Sequence, residues 1–161
     1  MLIVVANQPW QKADRSVTPA EDRFAMVAAA VEDVPGIEAS RLEIDRGGES
    51  MTADTLAALS ETEPSAEFFL VVGNDVAAQL GTWRRADEVR QLASLVVVSR
   101  AGSKKPVVDE SWRPTWVLIP ALEISSTDLR ERAADGRPLD YLVPPSAVHV
   151  IRQRGLYAGG R

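Results

Sequence analysis

The chain of 161 residues contains no cysteine and a single histidine, His149. Without cysteine it forms neither disulfides nor thiolate sites, and one histidine cannot build a zinc centre of clustered histidines. No apolar run approaches the roughly 20 residues that cross a bilayer, and the run at residues 2–6 is too short for the core of a signal peptide. These absences predict a cytoplasmic protein that does not enter a membrane.

Basic residues are not in excess either. The 18 Lys and Arg residues are outnumbered by 23 Asp and Glu residues, which gives a net charge of -5. A negative surface disfavours nucleic acid and anionic membranes as partners, but it allows a local basic pocket for a small phosphate ligand. The length suits one domain, which we expect to span residues 1–161. Whether the chain forms a homo-oligomer is left open by its sequence.

Short apolar runs alternate with helical patterns along the whole chain. The runs predict strands at residues 2–6, 37–44, 68–72, 95–99 and 116–119. Helices are predicted between Pro19 and Pro35, from Thr52 onwards, and at residues 76–80, 85–92, 126–134 and 146–154. Thr18 and Glu21 match a capping box for the first of these helices. This alternation favours the α/β class, with a parallel sheet and helices on both of its faces.

The run Ile-Ser-Ser-Thr-Asp-Leu-Arg at residues 124–130 begins a predicted helix with three hydroxyls and a guanidinium. The unpaired amides of a first helical turn attract anions, and hydroxyls with a fixed cation add donors at the same end. The candidate phosphate ligands are Ser125, Ser126, Thr127 and Arg130. The alternative is that one hydroxyl only caps the helix, with Asp128 or Glu131 completing a capping box.

A second candidate site follows the predicted strand at residues 68–72. The sequence Gly73-Asn74-Asp75 stands where open α/β sheets bind ligands, at the carboxyl end of a strand. Asp75 has an alternative role as the cap of the next helix.

Several further motifs accompany these two along the chain. They are Gln8-Pro9-Trp10-Gln11-Lys12, Pro19-Ala20-Glu21-Asp22-Arg23, Ile44-Asp45-Arg46-Gly47-Gly48, Thr52-Ala53-Asp54-Thr55-Leu56, Trp83, Val98-Ser99-Arg100 and Asp140-Tyr141-Leu142-Val143-Pro144. With these motifs the chain resembles bacterial nicotinate-nucleotide adenylyltransferase, especially its actinobacterial form. The resemblance implies a Rossmann-like nucleotidyltransferase fold and adenylyl transfer from ATP to nicotinate mononucleotide. The products would be deamido-NAD and pyrophosphate, in NAD biosynthesis, with Mg²⁺ accompanying ATP.

The resemblance also implies roles for single residues. Lys12 would contact phosphate, Thr52 would help to hold the nicotinate carboxylate, and Trp83 would stack on the pyridine ring. Gly73 and Asp75 would face the nucleotide, the glycine permitting close approach. Ser125, Ser126, Thr127 and Arg130 would bind the phosphates of ATP, the arginine by charge-assisted hydrogen bonds.

Each of these residues also has a purely structural interpretation. Lys12 would be a surface charge, Trp83 a half-buried packing aromatic and Thr52 a helix cap. Residues 46–48 would form only a turn. We expect Trp10 and Tyr141 to pack rather than to contact a ligand.

One part of the family's pattern is absent from the 161 residues. The family opens with a strand and a helix that carry GxFDPxHxGH, whose histidines stabilise the transferring phosphoryl group. Residues 2–6 correspond to the family's second strand, so we expect the first strand and helix to be missing. We assign no catalytic residue and expect poor turnover from this chain. The alternatives are a non-catalytic nucleotide-binding relative and a decayed structural remnant.

Overall fold

The computed structural model describes residues 1–9 and 17–159. Its strands are β1 (Leu2–Val4), β2 (Glu38–Ser40), β3 (Phe68–Gly73), β4 (Ala93–Arg100) and β5 (Thr115–Ile119). Its helices are α1 (Ala20–Val31), α2 (Leu42–Arg46), α3 (Thr52–Thr62), α4 (Asn74–Ala77), α5 (Ala86–Leu92), α6 (Ser126–Ala134) and α7 (Pro145–Gln153). The strands pair in parallel, β1 with β2 and β3 with β4 with β5. The predicted α/β class with parallel sheets is confirmed.

Contacts divide the chain into two compact units. Unit 1 comprises Met1–Ser50 and Glu123–Arg161, and unit 2 comprises Met51–Leu122. Unit 1 therefore contains β1, β2, α1, α2, α6 and α7, while unit 2 contains the three-stranded sheet with α3, α4 and α5. That the two fold as one domain stays a prediction of the sequence.

The core of unit 2 lies on one face of its sheet. Val72 pairs with Val97, and Val97 pairs with Trp116, so these side chains share a face. Ala53 and Leu56 of α3 belong to the same buried cluster. The most deeply buried members are Leu80, Val89, Leu95 and Val97, none more than 2% exposed. This packing holds the carboxyl ends of β3 and β4 in fixed positions.

The opposite face of the same sheet is apolar and exposed. Phe69 and Val71 of β3 are 59% and 49% exposed, and Val117 and Ile119 of β5 are 40% and 38% exposed. We call these four side chains the outer face of unit 2. The continuous apolar run of β3 is typical of a strand buried on both faces, whereas the helices predicted on both faces of the sheet are not observed for this face of unit 2.

Unit 1 is organised around the packing of α1 against α7. The Ser146 hydroxyl donates to the Ala29 carbonyl at 2.6 Å, and an Arg154 guanidinium nitrogen lies 2.7 Å from an Asp22 carboxylate oxygen. The Thr18 hydroxyl donates to the Tyr157 hydroxyl at 3.1 Å. These contacts join the amino-terminal part of unit 1 to its last helix.

The capping box predicted at Thr18 and Glu21 is wrong. The N-cap of α1 is Pro19, which has no side-chain cap hydrogen bond. The Glu21 carboxylate instead accepts two hydrogen bonds from Arg41, both 2.7 Å long, which lower the pKa of Glu21 below its usual value. Glu21 therefore forms a tertiary ion pair with Arg41 in place of the capping contact that the local pattern predicted.

The strand predicted at residues 37–44 is also only partly right. β2 covers Glu38–Ser40, and the chain then turns into α2. Arg41 supports this early turn, because its guanidinium lies 4.9 Å from the centre of the Phe24 ring and 3.2 Å from Asp45. At the end of α2, Gly47 and Gly48 have φ of 73° and 68°, so the turn predicted at residues 46–48 is confirmed.

The segment that follows β1 is held by a partly buried arginine. Arg23 donates to the Thr18 carbonyl at 2.9 Å and to the Asn7 carbonyl at 2.8 Å. The Asn7 amide in turn donates to the Ser50 hydroxyl at 2.7 Å. Burial lowers the pKa of Arg23, although the guanidinium stays charged. Arg23 therefore fixes the carboxyl end of β1 against the start of α1.

We expect Arg23→Leu to lower the free energy of unfolding by about 2–4 kcal/mol. It removes two charge-assisted hydrogen bonds and leaves two carbonyls without that donor. Urea denaturation measures the change. Arg137→Leu is the matched control, since within residues 1–9 and 17–159 the Arg137 side chain makes only an exposed 3.2 Å pair with Asp135, and its loss should change stability by less than about 1 kcal/mol. Equal losses in the two variants would contradict the role given to Arg23.

Candidate functional site

The first turn of α6 presents hydroxyls and a cation to solvent in unit 1. Ser125 is the N-cap, and its hydroxyl accepts the Asp128 amide at 3.1 Å. The Arg130 guanidinium donates to the Thr127 hydroxyl at 3.4 Å. All four candidates, Ser125, Ser126, Thr127 and Arg130, are exposed. The capping alternative is thus confirmed for Ser125, while Thr127 and Arg130 come together at the helix end that attracts anions.

The carboxyl end of β3 in unit 2 is shaped by Gly73. A β-carbon at this position would lie 2.8 Å from an Asp75 carboxylate oxygen, which is closer than real side chains allow. A larger residue at position 73 would therefore displace the Asp75 carboxylate from its place over the strand end. The N-cap of α4 is Gly73, so the alternative that Asp75 caps this helix is wrong. Asp75 is exposed in the second position of α4.

Thr52 and Trp83 lie on segments that an ion pair joins within unit 2. Thr52 is the first residue of α3, whose N-cap is Met51, so the capping alternative for Thr52 is wrong. Asp54, two residues further on, pairs with the guanidinium of Arg85. Since Arg85 stands two residues after Trp83, this pair brings the Thr52 and Trp83 segments together.

Arg85 itself has an unusual backbone conformation. Its φ is 59°, in the left-handed region, where it forms the N-cap of α5. Its guanidinium donates to both carboxylate oxygens of Glu88, at 2.7 and 2.6 Å. These bonds lower the pKa of Glu88 and raise that of Arg85. The pairs with Asp54 and Glu88 therefore offset the backbone strain that a non-glycine residue incurs here.

Trp83 itself is half-buried and packs against the core of unit 2. Its indole Nε1 is buried, and within residues 1–9 and 17–159 it is the one buried side-chain nitrogen or oxygen without a hydrogen-bond partner. The packing alternative is confirmed, because the side chain packs against the core. Stacking of a ligand ring on Trp83 stays a prediction.

The remaining sequence candidates fare differently. Lys12 and Trp10 lie outside the described residues. Tyr141, which we expected to pack, is fully exposed with φ of 63°. It lines a cavity of about 580 Å³ in unit 1 together with Leu142, Val143, Pro144, Pro145, Val148 and Asp140. The expectation failed because a left-handed backbone turns the ring towards solvent.

Two side-chain contacts beside the candidate site were not predicted from the sequence. Arg85 and Asp54 are 31 residues apart, and no motif spacing pairs them. Asn74 receives a hydrogen bond from Ser99, 25 residues further along the chain. The available signals were only their positions, beside Trp83 and Gly73.

In the described part of the chain, no group of three or more His, Asp or Glu side chains lies close enough together to hold a metal ion. None of its helices is long and apolar enough to cross a membrane.

Comparison with known proteins identifies the family. Residues 1–132 match the cytidylyltransferase-like family. A probable nicotinate-nucleotide adenylyltransferase of Corynebacterium kroppenstedtii is 44% identical over 98% of this chain and 76% of its own length. One from Streptomyces coelicolor is 42% identical over 99% of this chain and 85% of its own length.

A solved structure shares the fold. It is the Plasmodium falciparum nicotinic acid mononucleotide adenylyltransferase complexed with NaAD, at a TM-score of 0.75 and 19% identity. The alignment covers 99% of this chain and 82% of that one. The chain therefore belongs to the cytidylyltransferase-like family of nucleotidyltransferases, and within it to the nicotinate-nucleotide adenylyltransferases of NAD biosynthesis.

Proposed function

We propose that this chain binds ATP and nicotinate mononucleotide for adenylyl transfer between them. The observation that carries the proposal is the identity of 44% and 42% to relatives named for this reaction, over nearly the whole chain. The geometry of the described residues agrees with it. Anion-binding groups lie at the start of α6, and a partly exposed indole lies beside the start of α3.

The phosphates of ATP are assigned to the first turn of α6. Thr127 and Arg130 are exposed there and already contact each other, so both can turn their donors to one phosphate group. Ser126 adds a hydroxyl, and the helix amides add partial positive charge. Ser125 contributes mainly by fixing the helix end, because its oxygen already accepts the Asp128 amide. Gly73 and Asp75 are assigned to the nucleotide at the carboxyl end of β3.

The nicotinate half of the substrate is assigned to Thr52 and Trp83. The ring of Trp83 offers a flat surface on which a pyridine ring can stack. Thr52 offers a hydroxyl and an amide of the first turn of α3, both suited to a carboxylate. The Asp54–Arg85 ion pair keeps the two segments together. The Plasmodium falciparum structure that shares the fold was solved in complex with NaAD.

The reaction requires no nucleophile from the protein. A phosphate oxygen of nicotinate mononucleotide forms a bond to the α-phosphorus of ATP, while the bond from that phosphorus to the bridging oxygen breaks and pyrophosphate leaves. The chain contributes alignment of the two substrates and neutralisation of charge. A metal centre held by the chain alone does not fit the described residues, which offer no cluster of ligands for it. The family resemblance implies Mg²⁺ that arrives on the phosphates of ATP.

Turnover by the 161 residues is a separate part of the proposal. Their sequence contains a single histidine, His149, which lies exposed on α7. The resemblance implies that the histidines of GxFDPxHxGH donate to the charge that develops on the transferring group, and this motif is not among these 161 residues. We therefore propose that this chain binds both substrates and converts them slowly.

Isothermal titration with ATP tests the phosphate assignment. Arg130→Ala is expected to weaken ATP binding about 10- to 150-fold, the loss typical of hydrogen bonds to a charged group. Arg132→Ala is the matched control on the same helix, because Arg132 pairs with Asp128 at 2.7 Å and is not assigned to the ligand. It should change ATP affinity less than about threefold. A chain that binds neither ATP nor nicotinate mononucleotide would refute the proposed function.

A further inference from the structure

Asn74 joins the end of β3 to the segment that follows β4. Its amide oxygen accepts the Ser99 hydroxyl at 2.6 Å, and its amide nitrogen donates to the Ser103 hydroxyl at 2.9 Å. The same nitrogen lies 3.4 Å from the Lys104 carbonyl. We call Asn74, Ser99 and Ser103 the clasp. Ser99 is only 5% exposed, so one end of the clasp is anchored in the buried part of unit 2.

The segment held by the clasp is strongly basic. Residues 100–108 include Arg100, Lys104 and Lys105 but no acidic residue. Ser103 also bonds back to the Arg100 carbonyl, by its amide at 3.1 Å and its hydroxyl at 2.7 Å, which closes a tight turn. Because Ser103 is bonded both to Asn74 and to the Arg100 carbonyl, the side chains of this turn can point in only a restricted set of directions.

The two lysines of this segment differ in their surroundings. The Lys105 ammonium lies 4.9 Å from the centre of the Trp116 ring, a cation–π contact that occupies it. Lys104 is exposed and has no ion pair with any residue in the described ranges. Of these two lysines, Lys104 is therefore the one whose ammonium is available to bind a ligand.

The end of β3 has no cation of its own. Residues 68–82 contain neither lysine nor arginine, while Asp75 places a negative charge there. An anionic ligand at this strand end would meet repulsion unless a positive charge came from elsewhere in the chain. The Lys104 backbone, held by Asn74, lies beside this strand end.

We propose that Asn74 is a positioning residue that holds Lys104 at the carboxyl end of β3, where its ammonium binds a phosphate group of the nucleotide. This inference rests on the proposed function and adds to it a second phosphate contact, independent of α6. The ligand class is a nucleoside polyphosphate, which inorganic tripolyphosphate imitates. Asn74 acts through Lys104 and does not itself touch the ligand.

Titration of the full chain with ATP and with tripolyphosphate tests the role of Lys104. Lys104→Ala should weaken both ligands about tenfold, and Lys104→Arg should keep most of the affinity. Lys105→Ala is the matched control, because it removes the same charge one position along without removing the proposed contact. Equal effects of Lys104→Ala and Lys105→Ala would overturn the proposal, since they would indicate a general charge effect.

Two further variants test the clasp. Asn74→Ala and Ser103→Ala should each weaken ATP severalfold, and neither should add to the effect of Lys104→Ala in the double variant. Ser103 is exposed, so its substitution leaves the core of unit 2 intact. Hydrogen exchange without ligand should become faster at residues 101–105 in both variants. Unchanged exchange would overturn the clasp.

The outcomes separate the two proposals. If the unsubstituted chain binds ATP and Lys104→Ala binds it equally well, the role of Lys104 is refuted and the proposed function stands. If the unsubstituted chain binds neither ATP nor tripolyphosphate, both the proposed function and the role of Lys104 are refuted. The exchange rates still decide the clasp in that case.

Discussion

Joining a segment that carries GxFDPxHxGH to the 161 residues is expected to raise the rate of deamido-NAD formation by several orders of magnitude. Groups that stabilise charge in a transition state are each worth about a hundredfold to a thousandfold in rate. The segment would bring two histidines to a chain whose own histidine lies exposed on α7. Chromatographic detection of deamido-NAD and pyrophosphate at saturating ATP and nicotinate mononucleotide measures the rate.

The same segment with both histidines replaced by alanine is the control. It adds the same segment without the phosphate donors, so it separates the effect of the added residues from that of the histidines. We expect it to bind both substrates and to be no faster than the 161 residues alone. A control that is as fast as the unsubstituted chimera would contradict the role of the histidines. A fast reaction by the 161 residues alone would refute the slow turnover proposed here.

Replacement of Trp83 is expected to act on one substrate only. Trp83→Ala should weaken the binding of nicotinate mononucleotide about 5- to 150-fold, since stacking of a base on an aromatic side chain is worth about 1–3 kcal/mol. ATP affinity should change less than about threefold, because its phosphates are assigned elsewhere. Titrations with each substrate measure both effects, and a melting curve separates lost affinity from lost folding.

Trp83→Phe is the conservative partner of this variant. It keeps a ring for stacking and removes an indole nitrogen that has no hydrogen-bond partner, so no satisfied bond is lost. Nicotinate mononucleotide should bind this variant within about tenfold of the unsubstituted chain. If the alanine variant binds as well as the phenylalanine variant, Trp83 serves packing alone.

The elements predicted best were those defined by local chemistry. α6 was predicted at residues 126–134 and lies at Ser126–Ala134, since Ser125 caps its start and Gly136, with φ of 68°, follows its end. Residues 37–44 failed because their partial alternation also suits a helix, and the contacts of Arg41 with Phe24 and Asp45 favour the early turn. Tertiary contacts of this kind have no local signature.

The candidate site follows the same division. Ser125 and Gly73 were found from motifs because each stands at the end of a predictable element, whereas Trp83 came from the family resemblance. The Asp54–Arg85 pair and the clasp depend on side chains that meet only after the core of unit 2 has formed. Local pattern therefore located groups that we propose to contact ligands, while the groups that hold them in place required the folded structure.

The outer face of unit 2 has a practical consequence for all these measurements. Phe69, Val71, Val117 and Ile119 form a water-exposed apolar surface on a sheet, a surface type that promotes colloidal association and binding of hydrophobic dyes. Titrations therefore require dilute protein, with light scattering recorded alongside. A dye that fluoresces on this surface would also report when an added segment covers it.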